Sequence, residues 1–353
     1  MLKGFFGSLI AAVLFFVAGG VSVALLGTNT SASIIQLNGE GIFGMDSVPA
    51  DLINQNVDSE KTKTWYFEDF SEICELDILS SGVKTYISPS DDDTFSVSVS
   101  ASGGRSVSVK AGRNDPFDGK LVLSIQTNDW FFNFGTGNIT AIIAVPNTVY
   151  DNLNISLSSG SLSAKDIKAK ANKFDIGSGN FELAFDEKFT SDEIWLDLGS
   201  GSVKIANAAT ENYNIEMGSG KLDISGLSGS GKTDIGSGKA TLAFTETIGG
   251  NNEFDLGSGK LNVFIPSDTK GTIKTDIGSG SVNVDCCGVS QTLTDDENVS
   301  LNGGGNAEIN IDMGSGNVTM KNSAEYERPD MFGDFPSKLV FDSADDAEKI
   351  SAL

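Results

Sequence analysis

The sequence predicts an all-β fold: a single-stranded, β-helix-like parallel β-solenoid of about eight coils with an N-terminal β cap region, preceded by one transmembrane helix. Three observations lead there. Gly-Ser-Gly stands at seven regularly spaced corners between Gly177 and Gly316, starting at Gly177, Gly199, Gly218, Gly236, Gly257, Gly278 and Gly314, with an eighth, off-register triplet at Gly229-Ser230-Gly231 that is not a copy of this corner. Each copy has an acidic residue two positions before it: Asp175, Asp197, Glu216, Asp234, Asp255, Asp276 and Asp312. Apolar residues alternate with polar ones on both sides of every copy, which is the period of a strand with one buried face. Self-similarity at a spacing of about 20 residues marks stacked repeats.

Residues 5–26 read FFGSLIAAVLFFVAGGVSVALL, 22 residues without a charge, with Lys3 just before them. A run of that length is enough to span a bilayer as a helix. Residues 1–27 are therefore expected to be a membrane anchor, with the N-terminus cytoplasmic and the bulk of the chain extracytoplasmic. Cleavage as a signal peptide, at the small-x-small Ser22-Val23-Ala24, is the competing expectation. Residues 28–64 are mixed and polar, with Gly39, Gly41, Gly44 and Pro49, and are expected to be a spacer.

From Trp65 the alternation begins. Leu76 and Ile78, then Val83, Thr85 and Ile87, flank Ser80-Ser81-Gly82, a degenerate repeat corner. Phe95, Val97 and Val99, then Val107 and Val109, lie on either side of Gly103-Gly104. Leu121, Leu123 and Ile125, then Ile139, Ala141, Ile143 and Val145, continue the pattern. Residues 65–149 are expected to be the β-rich N-terminal part of the repeat domain, for which an antiparallel sandwich or meander is the alternative. Trp130, Phe131, Phe132 and Phe134 are expected to cap the first coil, or else to form an aromatic patch.

Residues 150–321 hold the regular coils, beginning with an imperfect corner at Ser158-Ser159-Gly160. In Phe174-Asp175-Ile176-Gly177-Ser178-Gly179-Asn180-Phe181-Glu182-Leu183, alternation places Phe174, Ile176, Phe181 and Leu183 inside. Glycine at the corner is expected to allow positive φ and close approach of neighbouring coils. The step from Gly278 to Gly314 is 36 residues, which reads as a loop expansion of the last coil. That stretch holds Cys286 and Cys287, whose adjacency in a strand predicts side chains on opposite faces. Residues 322–353 are acidic and without alternation, and are expected to be a mostly disordered tail with a short helix over 344–353.

The strand with Ser80-Ser81-Gly82, the segment Ile143-Ala144-Val145-Pro146-Asn147, the corner Ser158-Ser159-Gly160 and the serial Gly-Ser-Gly coils together resemble the bacterial putative-adhesin family of β-strand repeat proteins. So does the ending from Gly303-Gly304-Gly305 to Gly314-Ser315-Gly316. The resemblance covers roughly residues 65–321. It implies an envelope-exposed solenoid behind an N-terminal membrane segment, and it supplies no active-site motif. The acid here precedes the turn, whereas the commonest family turn is Ser-Gly-Asp.

The formal charge is −24, from 48 acidic and 24 basic residues, which disfavours nucleic acid as a partner. The chain has no histidine, so Ser-His-Asp and Cys-His catalysis are excluded. Its three cysteines have neither a disulfide-framework nor a zinc-site spacing. Residues 226–233 read GLSGSGKT, a full match to the phosphate-binding loop pattern. That loop needs a helix after it, and here the next glycine corner follows within a few residues, so no nucleotide is expected. The acidic residues before the corners should form an outward column. They would either accept hydrogen bonds from their own turn amides or bridge divalent cations, with Lys221, Lys239 and Lys260 close enough to neutralise part of the column. No cofactor is expected, apart from a divalent cation on this column.

These observations point to a non-enzymatic cell-envelope protein acting as an interaction or adhesin-like module, with the membrane and an envelope polymer or protein as partners. An envelope-stress or signalling accessory and a carbohydrate-active enzyme on a β-helix are the alternatives.

Overall fold

Short strands that turn at glycine corners build two facing walls, each apolar on the inside. In the computed structural model, residues 52–68, 72–91, 94–113, 119–128, 137–246, 248–333, 335 and 348–351 are described. The expected anchor at 1–27 and the aromatic cluster of Trp130, Phe131, Phe132 and Phe134 lie outside these residues. All of the described residues fall in one unit, Val48–Leu353.

Among the described residues, twenty-three strands form one continuous hydrogen-bonded array. The first seven are β1 (Ile53–Val57), β2 (Lys61–Glu68), β3 (Glu75–Pro89), β4 (Phe95–Ala101), β5 (Val107–Gly112), β6 (Lys120–Thr127) and β7 (Ile139–Val145). Four longer or paired coil strands follow: β8 (Val149–Lys165), β9 (Lys168–Ile176), β10 (Asn180–Leu198) and β11 (Ser202–Met217). The regular coils continue as β12 (Lys221–Leu227), β13 (Ser230–Ile235), β14 (Lys239–Phe244), β15 (Gly250–Leu256), β16 (Lys260–Ile265), β17 (Gly271–Ile277) and β18 (Ser281–Cys286). The last are β19 (Val289–Leu293), β20 (Asn298–Leu301), β21 (Ala307–Met313), β22 (Asn317–Asn322) and β23 (Glu348–Ser351).

Strands entering the corners stack in parallel as the first wall: β9, the second half of β10, the second half of β11, β13 and β15. Strands leaving the corners stack in parallel as the second wall: the first halves of β10 and β11, then β12, β14 and β16. Side chains from both walls meet in one core, in which Phe174, Phe181, Phe244 and Phe254 are at most 1% exposed. Each such side chain contributes about 1.5–3 kcal/mol by leaving water. The parallel coils of the solenoid are therefore present as the repeat predicts.

The part over 65–149 is mixed. β3 is itself a coil, parallel to β6, β7 and β8. Antiparallel pairs then close that end, through β6–β5–β1 on the first wall and β7–β4–β2 on the second. β1 and the start of β2 lie in the stretch read as polar spacer, so the spacer is corrected there. In β1 only Ile53 and Val57, four positions apart, are buried, too few to register as alternation in the sequence.

The last coil is displaced from its sequence position. β15 and β16 pair with β21 and β22, and β21 and β22 in turn pair with β17 and β18. The coil at Gly314 thus sits between the coils at Gly257 and Gly278. The 36-residue step is not a loop expansion. It holds β19 and β20, which pair antiparallel with β18 and β17 and close the end of the stack. Cys287 and Gly288, at φ 53° and 77°, make the turn from β18 to β19. That turn folds both Cys286 and Cys287 inward, and both are buried, contrary to the opposite-face expectation.

The glycines of the corners also differ from expectation. Gly229 of the off-register triplet has positive φ (72°), and among the described corners so do Gly82 and Gly160 of the two Ser-Ser-Gly corners (70° and 90°), but none of the glycines of the seven Gly-Ser-Gly corners does. What those require is space. A Cβ on Gly201 would stand 2.2 Å from the carbonyl oxygen of Gly179 in the coil before it.

The tail is partly ordered. After a 3-10 turn at Ser323–Glu325 the chain runs back across the outside of the second wall, and β23 pairs in parallel with β2. Residues 348–351 are thus a strand where a helix was expected.

Candidate functional site

The column of acids before the corners exists as a register. Asp175 pairs with Asp197, Asp197 with Glu216, Glu216 with Asp234, and Asp234 with Asp255. Asp255 then pairs with Asp312, and Asp312 with Asp276. Seven carboxylates therefore stand in one line on the outside of the first wall, about 4.8 Å from strand to strand.

They do not cap their own turns. The turn amides are already used between coils: Gly199 N–H donates to Ile176 C=O at 2.9 Å, Ser200 N–H to Gly177 C=O at 2.9 Å, and Ser202 N–H to Gly179 C=O at 3.0 Å. Parallel stacking takes every donor the Asx-turn reading needed. Among the described residues no group of three or more Asp, Glu, Cys or His side chains is gathered so as to hold a metal ion.

Burial raises the carboxyl of Asp175 above its ordinary value. Burial first, then the charges of Asp175 and Glu216, does the same to Asp197. A carboxyl raised in the folded state favours folding below its unfolded value and loses that contribution as pH rises through its folded value. Asp197→Asn is therefore expected to stabilise the chain at pH 7 by about 0.5–1 kcal/mol, the modest size reflecting solvent screening of a half-exposed group. The gain should vanish near pH 4. Thermal melts of both proteins at the two pH values check this, and a less stable variant at pH 7 would refute the repulsion.

Lys221, Lys239 and Lys260 form a second ladder, just past the corners. Among the described residues no ion pair joins them to the acid column. A recess of about 300 Å³ lies over Asp255, Asp312 and Asp276, with Lys232 and Lys274 at its rim. Lys173 Nζ sits 4.7 Å from the centre of the Trp195 ring on the same wall.

The GLSGSGKT stretch spans the end of β12 and the start of β13, and a strand rather than a helix follows Gly229. Its glycines are explained by backbone conformation, with φ of 92° at Gly226 and 72° at Gly229, and by stacking. A Cβ on Gly229 would lie 2.2 Å from Glu211 C=O, and one on Gly231 would lie 2.0 Å from Tyr213 C=O.

The second wall carries residues that the sequence did not single out. Glu182 and Lys204 are register partners on β10 and β11 and form an ion pair of 2.9 Å. Asp223 lies further along and accepts a 2.5 Å hydrogen bond from Tyr326 of the tail. Burial raises its carboxyl above the ordinary value. Tyr326, Phe332 and Phe335 were the available signal, because disordered acidic tails are poor in aromatic residues.

The expected membrane partner is corrected. No helix among the described residues is long and apolar enough to cross a membrane, and the segment that suggested one lies outside them.

Residues 73–321 match the family model Toastrack DUF4097. Two solved structures are similar. A putative cell adhesion protein from Clostridium sporogenes is 14% identical, with 74% of this chain and 99% of that chain covered and a TM-score of 0.26. A putative adhesin from Bacteroides fragilis is 15% identical, with 75% and 98% covered and a TM-score of 0.39. No curated protein matches the sequence.

Proposed function

This chain belongs to the Toastrack DUF4097 family, and from that membership we propose that it is a non-enzymatic, extracytoplasmic interaction module. The observation that supports this is the carboxylate line of the first wall, which runs unbroken from Asp175 through Asp312 to Asp276. A row of like charges on a flat wall suits an extended cationic partner, which can touch many coils at once and gain by multivalency. The overall charge of −24 acts in the same direction.

The two kinds of function respond differently to mutation. A distributed contact weakens by steps, whereas a catalytic centre fails at one or two positions. The purified chain should co-sediment with the envelope fraction of the cells that make it. Retention should fall by degrees as Asp197, Glu216, Asp234 and Asp255 are neutralised one after another, and it should fall with added salt. Complete loss at a single position, or no change with all four neutralised, would overturn the reading.

A further inference from the structure

The strap of residues 323–335 crosses the second wall at a place built to hold a peptide main chain. Glu182 Oε1 is bound by Lys204 Nζ at 2.9 Å, which leaves Glu182 Oε2 and further lysine protons facing outward. The strap uses both. Lys204 Nζ donates to the Asp330 carbonyl at 2.9 Å, and the Phe332 amide donates to Glu182 Oε2 at 2.9 Å. A carbonyl at one residue and an amide two residues later lie on the same edge of any extended segment. The ion pair therefore grips backbone, through charge-assisted bonds, and does not depend on side-chain identity.

Side chains add contacts at the two ends. The Tyr326 ring lies 5.4 Å from Phe264, and its hydroxyl donates to Asp223. Phe335 lies 5.4 Å from Tyr86 and 5.2 Å from Phe332. Yet the strap fits loosely. Tyr326, Phe332 and Phe335 all remain partly exposed, and the described residues of 323–335 join no strand ladder of the wall. A space of about 410 Å³ lies beneath, between the strap rings and Lys84, Tyr86, Ser161 and Ser163.

We propose that this face of the second wall is a peptide-docking site. Its occupant in function is a segment of a partner protein that carries aromatic residues six and nine positions after a first one, as Phe332 and Phe335 follow Tyr326, and the strap is a tethered stand-in that this segment displaces. The proposal rests on the interaction-module reading and gives that module a partner class. A second copy of this chain is a poorer occupant, because it would trade one strap for an identical one without new contacts and lose the advantage of the tether.

The test uses the full chain and a fluorescent peptide of residues 323–335, read by anisotropy. A variant with Tyr326→Ala, Phe332→Ala and Phe335→Ala removes the ring contacts and loosens the strap, which keeps only its backbone bonds to Glu182 and Lys204, and Phe335→Ala alone is the milder form. A tether supplies an effective concentration on the order of millimolar, so the wild type should bind the peptide at least about tenfold more weakly than the triple variant. Phe335→Ala should fall between. Adding Glu182→Ala and Lys204→Ala to the triple variant should weaken binding again by about tenfold. Far-ultraviolet circular dichroism confirms that each variant is folded.

Equal binding by wild type and triple variant would overturn the proposal, as would no binding by a folded variant or indifference to the loss of Glu182 and Lys204. Dimerisation of the wild type through exchanged straps would also overturn it in favour of a second copy. Retention on the envelope fraction depends on the first wall and is read independently, so either reading can fail alone.

Discussion

A chain ending at Asn302 is expected to lose order over residues 271–302, well beyond the coil that is deleted. In a solenoid whose spatial order follows its sequence, removing the final coil costs that coil and one interface. Here β21 and β22 lie between two other coils and pair with both. Their removal strips β17 and β18 of their parallel neighbours and leaves only the antiparallel β20 and β19 on their other side. It also uncovers β15 and β16. The deleted strands bury Ile309, Ile311, Met313, Val318 and Met320, each at most 2% exposed. Their burial contributes about 10 kcal/mol in all, comparable to the whole stability of an ordinary domain. Hydrogen exchange should show residues 150–245 still protected and 271–302 exchanging freely. Native-like protection of 271–302 in the truncated chain would contradict the interleaved order.

Gly201→Ala is expected to destabilise the chain by about 3 kcal/mol, whereas Gly236→Ala should cost about 1 kcal/mol or less. The new methyl at 201 would stand 2.2 Å from Gly179 C=O and 3.1 Å from Gly179 N. Both are backbone atoms, and that carbonyl accepts the Ser202 N–H at 3.0 Å. The coils would have to part, and the ladder would strain with them. At 236 the nearest atom is Gly218 C=O at 3.0 Å, which a small shift can relieve. Urea unfolding of the two variants separates spacing from conformation. Equal costs would mean that the glycines serve backbone freedom after all.

Much of the coil was legible in the sequence, because alternation and corner composition act within a few residues. Phe174, Ile176, Phe181 and Leu183 face the core as the period-two pattern requires. The acid column followed from the same periodicity. What escaped lies between coils. Every Gly-Ser-Gly coil offers nearly the same edges, so no local feature says that the one at Gly314 stacks before the one at Gly278. The long step between them was the only trace. The fate of the turn amides was hidden for the same reason, since their acceptors belong to the preceding coil.

On the second wall, Glu182 and Lys204 are 22 residues apart and read as two ordinary surface charges. Only stacking makes them a pair, and only the returning tail shows what the pair can hold. The acidic composition of residues 322–353 masked that return, because the three aromatic rings that anchor it are outnumbered by carboxylates.

The interleaved coil also governs timing. As the chain emerges from its N-terminus, coils up to Ile265 can stack as they appear. Residues 271–302 come next but have no parallel neighbour until residues 307–322 have followed them. At about 5–20 residues per second, that wait between residues 265 and 322 lasts roughly 3–10 s. During it the edge of β15 and β16 stands open, able to accept whatever strand arrives first. The final coil acts as a keystone, and the stack stays unlocked until residues through Asn322 have been made.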